Sequence, residues 1–177
     1  GTDLQPILDE IAKGKLKAEV SVVVSNIQNA YILERANKNK VPSFFISHKG
    51  KTREEFDNKI TKIFLQYNVE LVLLIGFMRI LSPEFCLQWQ DKVLNVHPSL
   101  LPKYSGEMDI GVHEKVIKNK DKETGCTIHF VTEDLDCGPI LIQKKCSVSR
   151  FDDAKTLKEK VQKLEGQAFL EAIKLFY

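Results

Sequence analysis

Residues 71–76 read Leu-Val-Leu-Leu-Ile-Gly. Five consecutive apolar residues closed by a glycine show no alternation between a wet and a dry face. Such a run suits a parallel strand, because the crossover helices of a parallel sheet cover both of its faces. Upstream, Thr52-Arg53-Glu54-Glu55 has the form of a capping box, with Thr52 as N-cap and Glu55 at the third helical position. Phe56, Ile60, Ile63, Phe64 and Tyr67 then recur at helical spacing, so a helix leads into the 71–76 strand. Earlier still, Glu19 to Ser25 (EVSVVVS) and Ser43 to Ser47 (SFFIS) read as strands on either side of a short helix over Ala30 to Asn39. Leu4, Ile7, Leu8 and Ile11 form the apolar face of an opening helix that Gly14 ends.

Downstream the pattern continues. Pro83 begins a short helix that includes Trp89, and Val93 to His97 is the next strand. Pro98 to Gly106 is a loop and Ile110 to Asn119 a helix. Thr124 to Val131 and Pro139 to Ser147 are strands joined by a tight turn, and Ala154 to Phe176 is a long closing helix. Alternating strands and helices predict an α/β fold: a doubly wound, Rossmann-like, mostly parallel sheet with a late antiparallel hairpin, in a single domain over residues 1–177.

Composition narrows the function. Hydrophobic residues make up 43% and charged residues 28% of the 177, as in an ordinary globular protein. Twenty-six basic against 24 acidic residues leave a formal charge of +2, without the basic excess of a nucleic-acid binder. The longest apolar run is far shorter than the roughly 20 residues of a membrane helix, and the chain opens without a secretory leader. Its four cysteines, Cys86, Cys126, Cys137 and Cys146, include no C-x-x-C pair. With no secretory signal, the expected setting is reducing and cytoplasmic.

Doubly wound sheets bind ligands at the carboxyl ends of their strands. Three chemically suggestive segments fall there: Gly76-Phe77-Met78-Arg79, Asn95-Val96-His97-Pro98-Ser99, and the acidic turn Glu133 to Gly138. Asn95 and His97 are two apart on a strand and share one face. An amide and an imidazole aimed at one point can stabilise an oxyanion and move a proton. A carboxylate from Asp136 beside His97 would orient the ring and raise its pKa. Taken singly, each has a plainer reading: a histidine satisfied by backbone at a strand end, and an aspartate in a turn. Gly1-Thr2-Asp3 leads straight into a helix, an arrangement suited to phosphate. His129 alternates with Thr127 and is weighed between core and site, whereas His48 and His113 are expected to face solvent.

The whole pattern resembles the folate-dependent formyltransferase family, specifically its phosphoribosylglycinamide formyltransferase branch. The resemblance runs from Gly1-Thr2-Asp3-Leu4-Gln5 to the final helix. It is carried by Gly76 to Pro83 (GFMRILSP), Asn95 to Lys103 (NVHPSLLPK), and His129 to Thr132 continuing to Asp136-x-Gly138-Pro139. It implies an enzyme of purine biosynthesis that moves the formyl group of 10-formyltetrahydrofolate to glycinamide ribonucleotide, with no metal. Asn95, His97 and Asp136 match the family's catalytic set. Gly1, Thr2 and Asp3 match the loop for the substrate phosphate, and Gln162 and Glu165 the residues that hold its ribose. Arg53, Met78, Arg79, Ile80, Leu81, Asn95, Val131 and the turn Thr132, Glu133, Asp134, Leu135 and Asp136 match the folate contacts. Asp3 stands where some members have Asn. The family's first strand and most of its Gly-rich loop have no counterpart in these residues.

The resemblance implies small-molecule substrates and a monomer or homodimer, with neither nucleic acid nor membrane as partner. A formyltetrahydrofolate hydrolase would use the same three side chains with water as acceptor, usually beside an extra N-terminal domain. Formyl transfer to methionyl-tRNA usually adds a C-terminal RNA-binding barrel. A non-catalytic folate or nucleotide-binding module, or an interaction protein of the same fold, would lack turnover altogether.

Overall fold

The computed structural model describes residues 1–177. The chain begins in α1 (Leu4–Ala12) and continues through β1 (Val23–Ser25), α2 (Tyr31–Lys38), β2 (Ser43–Phe45), α3 (Arg53–Gln66) and β3 (Val72–Leu74). There follow α4 (Pro83–Gln88), β4 (Val93–His97), α5 (Ile110–Lys118), β5 (Glu123–Phe130), β6 (Ile140–Ser147) and α6 (Ala154–Lys174). Order and type agree with the sequence pattern, and the differences lie at the ends. Trp89 stands at the C-cap of α4 rather than within it. There its ring stacks on Phe85 and its indole N–H donates to Thr61.

The strands form a parallel pair, β1–β2, and a four-stranded mixed sheet in the order β3-β4-β5-β6. β3 and β4 are parallel, while β5 is antiparallel to both β4 and β6. β1 is much shorter than the apolar run around it. Residues 20–24 and 69–75 instead line a cavity of about 1,070 Å³, and no ladder joins β1 to β3. That is why β3, read from its unbroken apolar run as doubly covered, is only partly buried over Leu73–Leu74.

The main core lies between the four-stranded sheet and the helices α1 and α6. Leu94, Ile128, Val161 and Phe169 are fully enclosed there. Each such side chain contributes roughly 1.5–3 kcal/mol by leaving water. A second cluster joins α3 and α4 to the sheet through Phe56, Val72, Phe85 and Trp89. The helix ends are fixed by chemistry visible in the sequence. Thr52 and Glu55 form the expected capping box, with Glu55 N–H on Thr52 Oγ1 at 3.2 Å and Thr52 N–H on Glu55 Oε2 at 3.0 Å. β4 is thereby held between two cores, with its carboxyl end at the surface of the sheet.

Candidate active site

Antiparallel pairing of β4 with β5 sets the register Asn95↔His129 and His97↔Thr127. The first pair brings an amide and an imidazole together: Asn95 Nδ2 lies 3.2 Å from His129 Nε2. His129 Nδ1 is 2.9 Å from the Phe130 carbonyl. A carbonyl only accepts, so Nδ1 carries a hydrogen and turns Nε2 toward the Asn95 amide. One Asn95 amide hydrogen remains for another partner.

The turn after β5 supplies the acid. Gly138 packs so tightly that a Cβ there would lie 1.8 Å from the Phe130 carbonyl oxygen. This draws the turn back over the sheet. Asp136 sits in the left-handed region at φ 54°, which Asp tolerates better than most residues. Its carboxylate reaches His97 Nδ1 at 3.2 Å through Oδ2 and His129 Nε2 at 3.6 Å through Oδ1. Oδ2 also accepts the Gly106 N–H at 2.9 Å. Burial pushes the Asp136 pKa up, but these donors outweigh it and hold the carboxyl below its ordinary value.

His97 is 3% exposed. Its Nε2 faces the Tyr104 carbonyl at 3.0 Å and its Nδ1 faces Asp136. Both neighbours are acceptors, so only the imidazolium satisfies both. Burial opposes that charge and prevails: it lowers the His97 pKa against the raising effects of Asp136 and the Tyr104 carbonyl. The sequence reading anticipated the carboxylate's pull upward but not the larger desolvation. The ring thus gives up its proton more readily than a free imidazole, with an acceptor facing each nitrogen.

A cavity of about 70 Å³ opens beside this cluster. Arg79, Ile80, Leu81, Val131 and the turn 132–136 line it together with Asn95. Leu74, Phe77 and His129 line it too: Phe77 belongs to a segment the sequence singles out, His129 is the residue it weighs between core and site, and Leu74 is one it reads only as strand. The β4–β5 register was the signal that would have found His129. Arg53 and Met78 do not reach this cavity: Arg53 is exposed at the start of α3, and Met78 is 54% exposed. Arg79 lies over the Phe56 ring at 5.0 Å, more tightly held than a free surface charge.

A second polar end lies where α1 meets α6. Asp3, the N-cap residue of α1, makes no side-chain cap and is 5% exposed. Burial raises its pKa to about 6. Glu165 projects from α6, and burial, then the charge of Asp3, raise its pKa to about 8. Gln162 stands one turn earlier on α6, half-buried. The N–H groups of Thr2, Asp3 and Leu4 donate to no backbone carbonyl.

Two histidines depart from expectation. His113 is buried at 1% exposure, because α5 turns this residue toward α6, and its Nδ1 has no partner. His48 is half-buried, 3.2 Å from the Asn26 amide and edge-on to Phe56. No group of three His, Cys, Asp or Glu side chains is arranged to hold a metal ion. No helix is long and apolar enough to cross a membrane.

This chain is similar to known proteins over nearly its whole length. A family model described as formyl transferase matches residues 1–173. The human trifunctional purine biosynthetic protein adenosine-3 is 38% identical over 176 residues, which are 99% of this chain but only 17% of that protein. The phosphoribosylglycinamide formyltransferase of Escherichia coli K12 is 37% identical over 177 residues, 99% of this chain and 82% of that one. The solved structure of the phosphoribosylglycinamide formyltransferase of Coxiella burnetii superposes with a TM-score of 0.92 at 37% identity, covering 99% of this chain and 82% of that chain.

Proposed function

Because this chain belongs to the formyl transferase family, we propose that residues 1–177 act as one phosphoribosylglycinamide formyltransferase domain, moving a formyl group from 10-formyltetrahydrofolate to the amine of glycinamide ribonucleotide. The observation that carries this reading is that Asp136, which with Asn95 lines one cavity, also contacts His97 from a distant stretch of the chain.

The residues fit a flat, mostly apolar cosubstrate. Ile80, Leu81 and Val131 supply apolar wall, and the backbone of the 132–136 turn supplies a polar edge. The exposed Arg53 is the cation assigned to the anionic tail of the cosubstrate.

The amine nitrogen adds to the formyl carbon, and the formyl oxygen takes up negative charge. The free Asn95 amide hydrogen and the His97 Nε2–H, when released from the Tyr104 carbonyl, stabilise that oxygen. Such donors are worth about 3–4 kcal/mol each in comparable sites. As the bond from carbon to the folate nitrogen breaks, that nitrogen gains a proton and the amine loses one. Asp136 keeps the charged form of His97 accessible and, with it, this transfer. At the other end, Gln162 and Glu165 hold the ribose, and the free N–H groups of Thr2 and Asp3 receive the phosphate. Glu165, protonated near neutrality, both donates to and accepts from a hydroxyl.

The test is spectroscopic. Protein, a 10-formyl folate and glycinamide ribonucleotide are mixed, and release of the deformylated folate is followed. Release that requires the amine is expected. Equal release without it identifies a hydrolase, and no release with either acceptor overturns the assignment.

A further inference from the structure

Arg35 on α2 carries a charge that no acid in the protein answers. It takes part in none of the ion pairs. Nη1 donates to Gln5 Oε1 at 3.0 Å, and the Tyr31 ring lies 4.9 Å beneath the guanidinium. Nε is buried and has no hydrogen-bond partner. A buried donor on a cation is among the costlier groups to leave unpaired. Gln5 and Tyr31 fix the fork from two sides, with Nε enclosed and unpartnered beneath its terminal nitrogens.

The position of the guanidinium gives this charge meaning. Ile32, one turn earlier on α2, packs against Gly1 so closely that a Cβ at Gly1 would lie 2.6 Å from Ile32 Cβ. Gln5 belongs to the first turn of α1. Arg35 therefore stands beside the segment whose Thr2, Asp3 and Leu4 N–H groups donate to no carbonyl. Free helix-terminal N–H groups and a planar guanidinium are the two donor types that phosphate oxygens favour. The acids at this end, Asp3 and Glu165, are both held in their neutral forms to higher pH than usual. Near neutrality Glu165 thus keeps its proton, and the carboxylate charge opposing Arg35 at this end is that of Asp3.

We propose that Arg35 is a phosphate ligand for the ribonucleotide substrate, working with the N–H groups of Thr2 to Leu4, and that Gln5 and Tyr31 position it. This rests on the activity proposed above. It assigns a role to α2, which neither the strand-end segments nor the family motifs reached.

The experiment compares glycinamide ribonucleotide with its dephosphorylated riboside, using wild type, Arg35→Gln and Arg35→Lys. Arg35→Gln is expected to raise KM for the ribonucleotide about 10- to 100-fold, the usual worth of a charge-assisted hydrogen bond. KM for the folate should stay in place, and Arg35→Lys should recover part of the loss. With the riboside, wild type and Arg35→Gln should behave alike. An unchanged KM, or the same fold rise with the riboside, overturns the proposal and leaves Arg35 a packing residue. A readout independent of turnover is the rise in melting temperature on adding inorganic phosphate, expected for wild type and lost in Arg35→Gln. An equal rise in the two proteins, or no rise in wild type, overturns it as well. Absence of turnover with a normal Arg35-dependent phosphate shift would fault the activity and leave the phosphate site standing.

Discussion

Two regions of the molecule treat buried carboxylates in opposite ways. Asp136 is surrounded by donors: a backbone N–H and two imidazoles hold it ionised below its ordinary range. Asp3 and Glu165 are as deeply buried but lack such donors, and burial drives both upward, Glu165 to about 8. The difference separates a preorganised end from a receptive one. Around Asp136 the protein has already arranged polar groups that hold a negative charge. Around Glu165 no such donor is in place.

The sharpest way to break the comparison is to empty the preorganised end. His97→Ala should cut turnover by about 10²–10⁴-fold, the range for loss of a positioned acid–base and oxyanion group. Thermal melting should show the fold intact. A variant within a few-fold of wild type would remove His97 from the chemistry.

Gly138→Ala tests whether the turn, rather than Asp136 alone, creates that end. The new Cβ would lie 1.8 Å from the Phe130 carbonyl, so the turn must move. Overpacking of this kind costs about 1–3 kcal/mol. Denaturant melts should show that loss, and kcat should fall although every catalytic side chain remains. Normal kcat with normal stability would show that the turn's tight packing is not what positions Asp136.

The smallest effect, of opposite sign, belongs to the receptive end. Glu165 has its pKa raised from 4.5 to about 8, so the folded state holds this proton more tightly than the unfolded chain. The associated stability is fully present below 4.5 and is lost as pH rises through about 8. Glu165→Gln escapes that loss. Its melting temperature relative to wild type should climb between pH 5 and 8.5, while its KM for the ribonucleotide worsens. A difference in melting temperature that does not change with pH would show that Glu165 is ionised in the free protein.

Much of this was legible in the sequence because it rests on local chemistry. The Thr52 capping box and the apolar spacing of α1 needed no tertiary information. Asn95 and His97 declared a shared face by strand period alone. What the sequence left hidden depends on register and enclosure. His129 joined the site because β5 pairs antiparallel with β4 at Asn95, a choice that no local pattern fixes. His113 looked like a surface residue until α5 packed against α6. The direction of the His97 shift turned on desolvation, which exists only once the loop through Tyr104 closes over the ring. The 71–76 run gave the strand correctly but not its coverage, since one edge of β3 borders the large cavity.

The most direct measurement is amine-dependent formyl transfer by Asp136→Asn, with folate affinity measured on the same preparation. Removing the negative charge while keeping the side chain's shape should leave the fold and folate binding close to wild type and reduce turnover by orders of magnitude. Turnover near the wild-type rate at unchanged folate affinity would contradict the account.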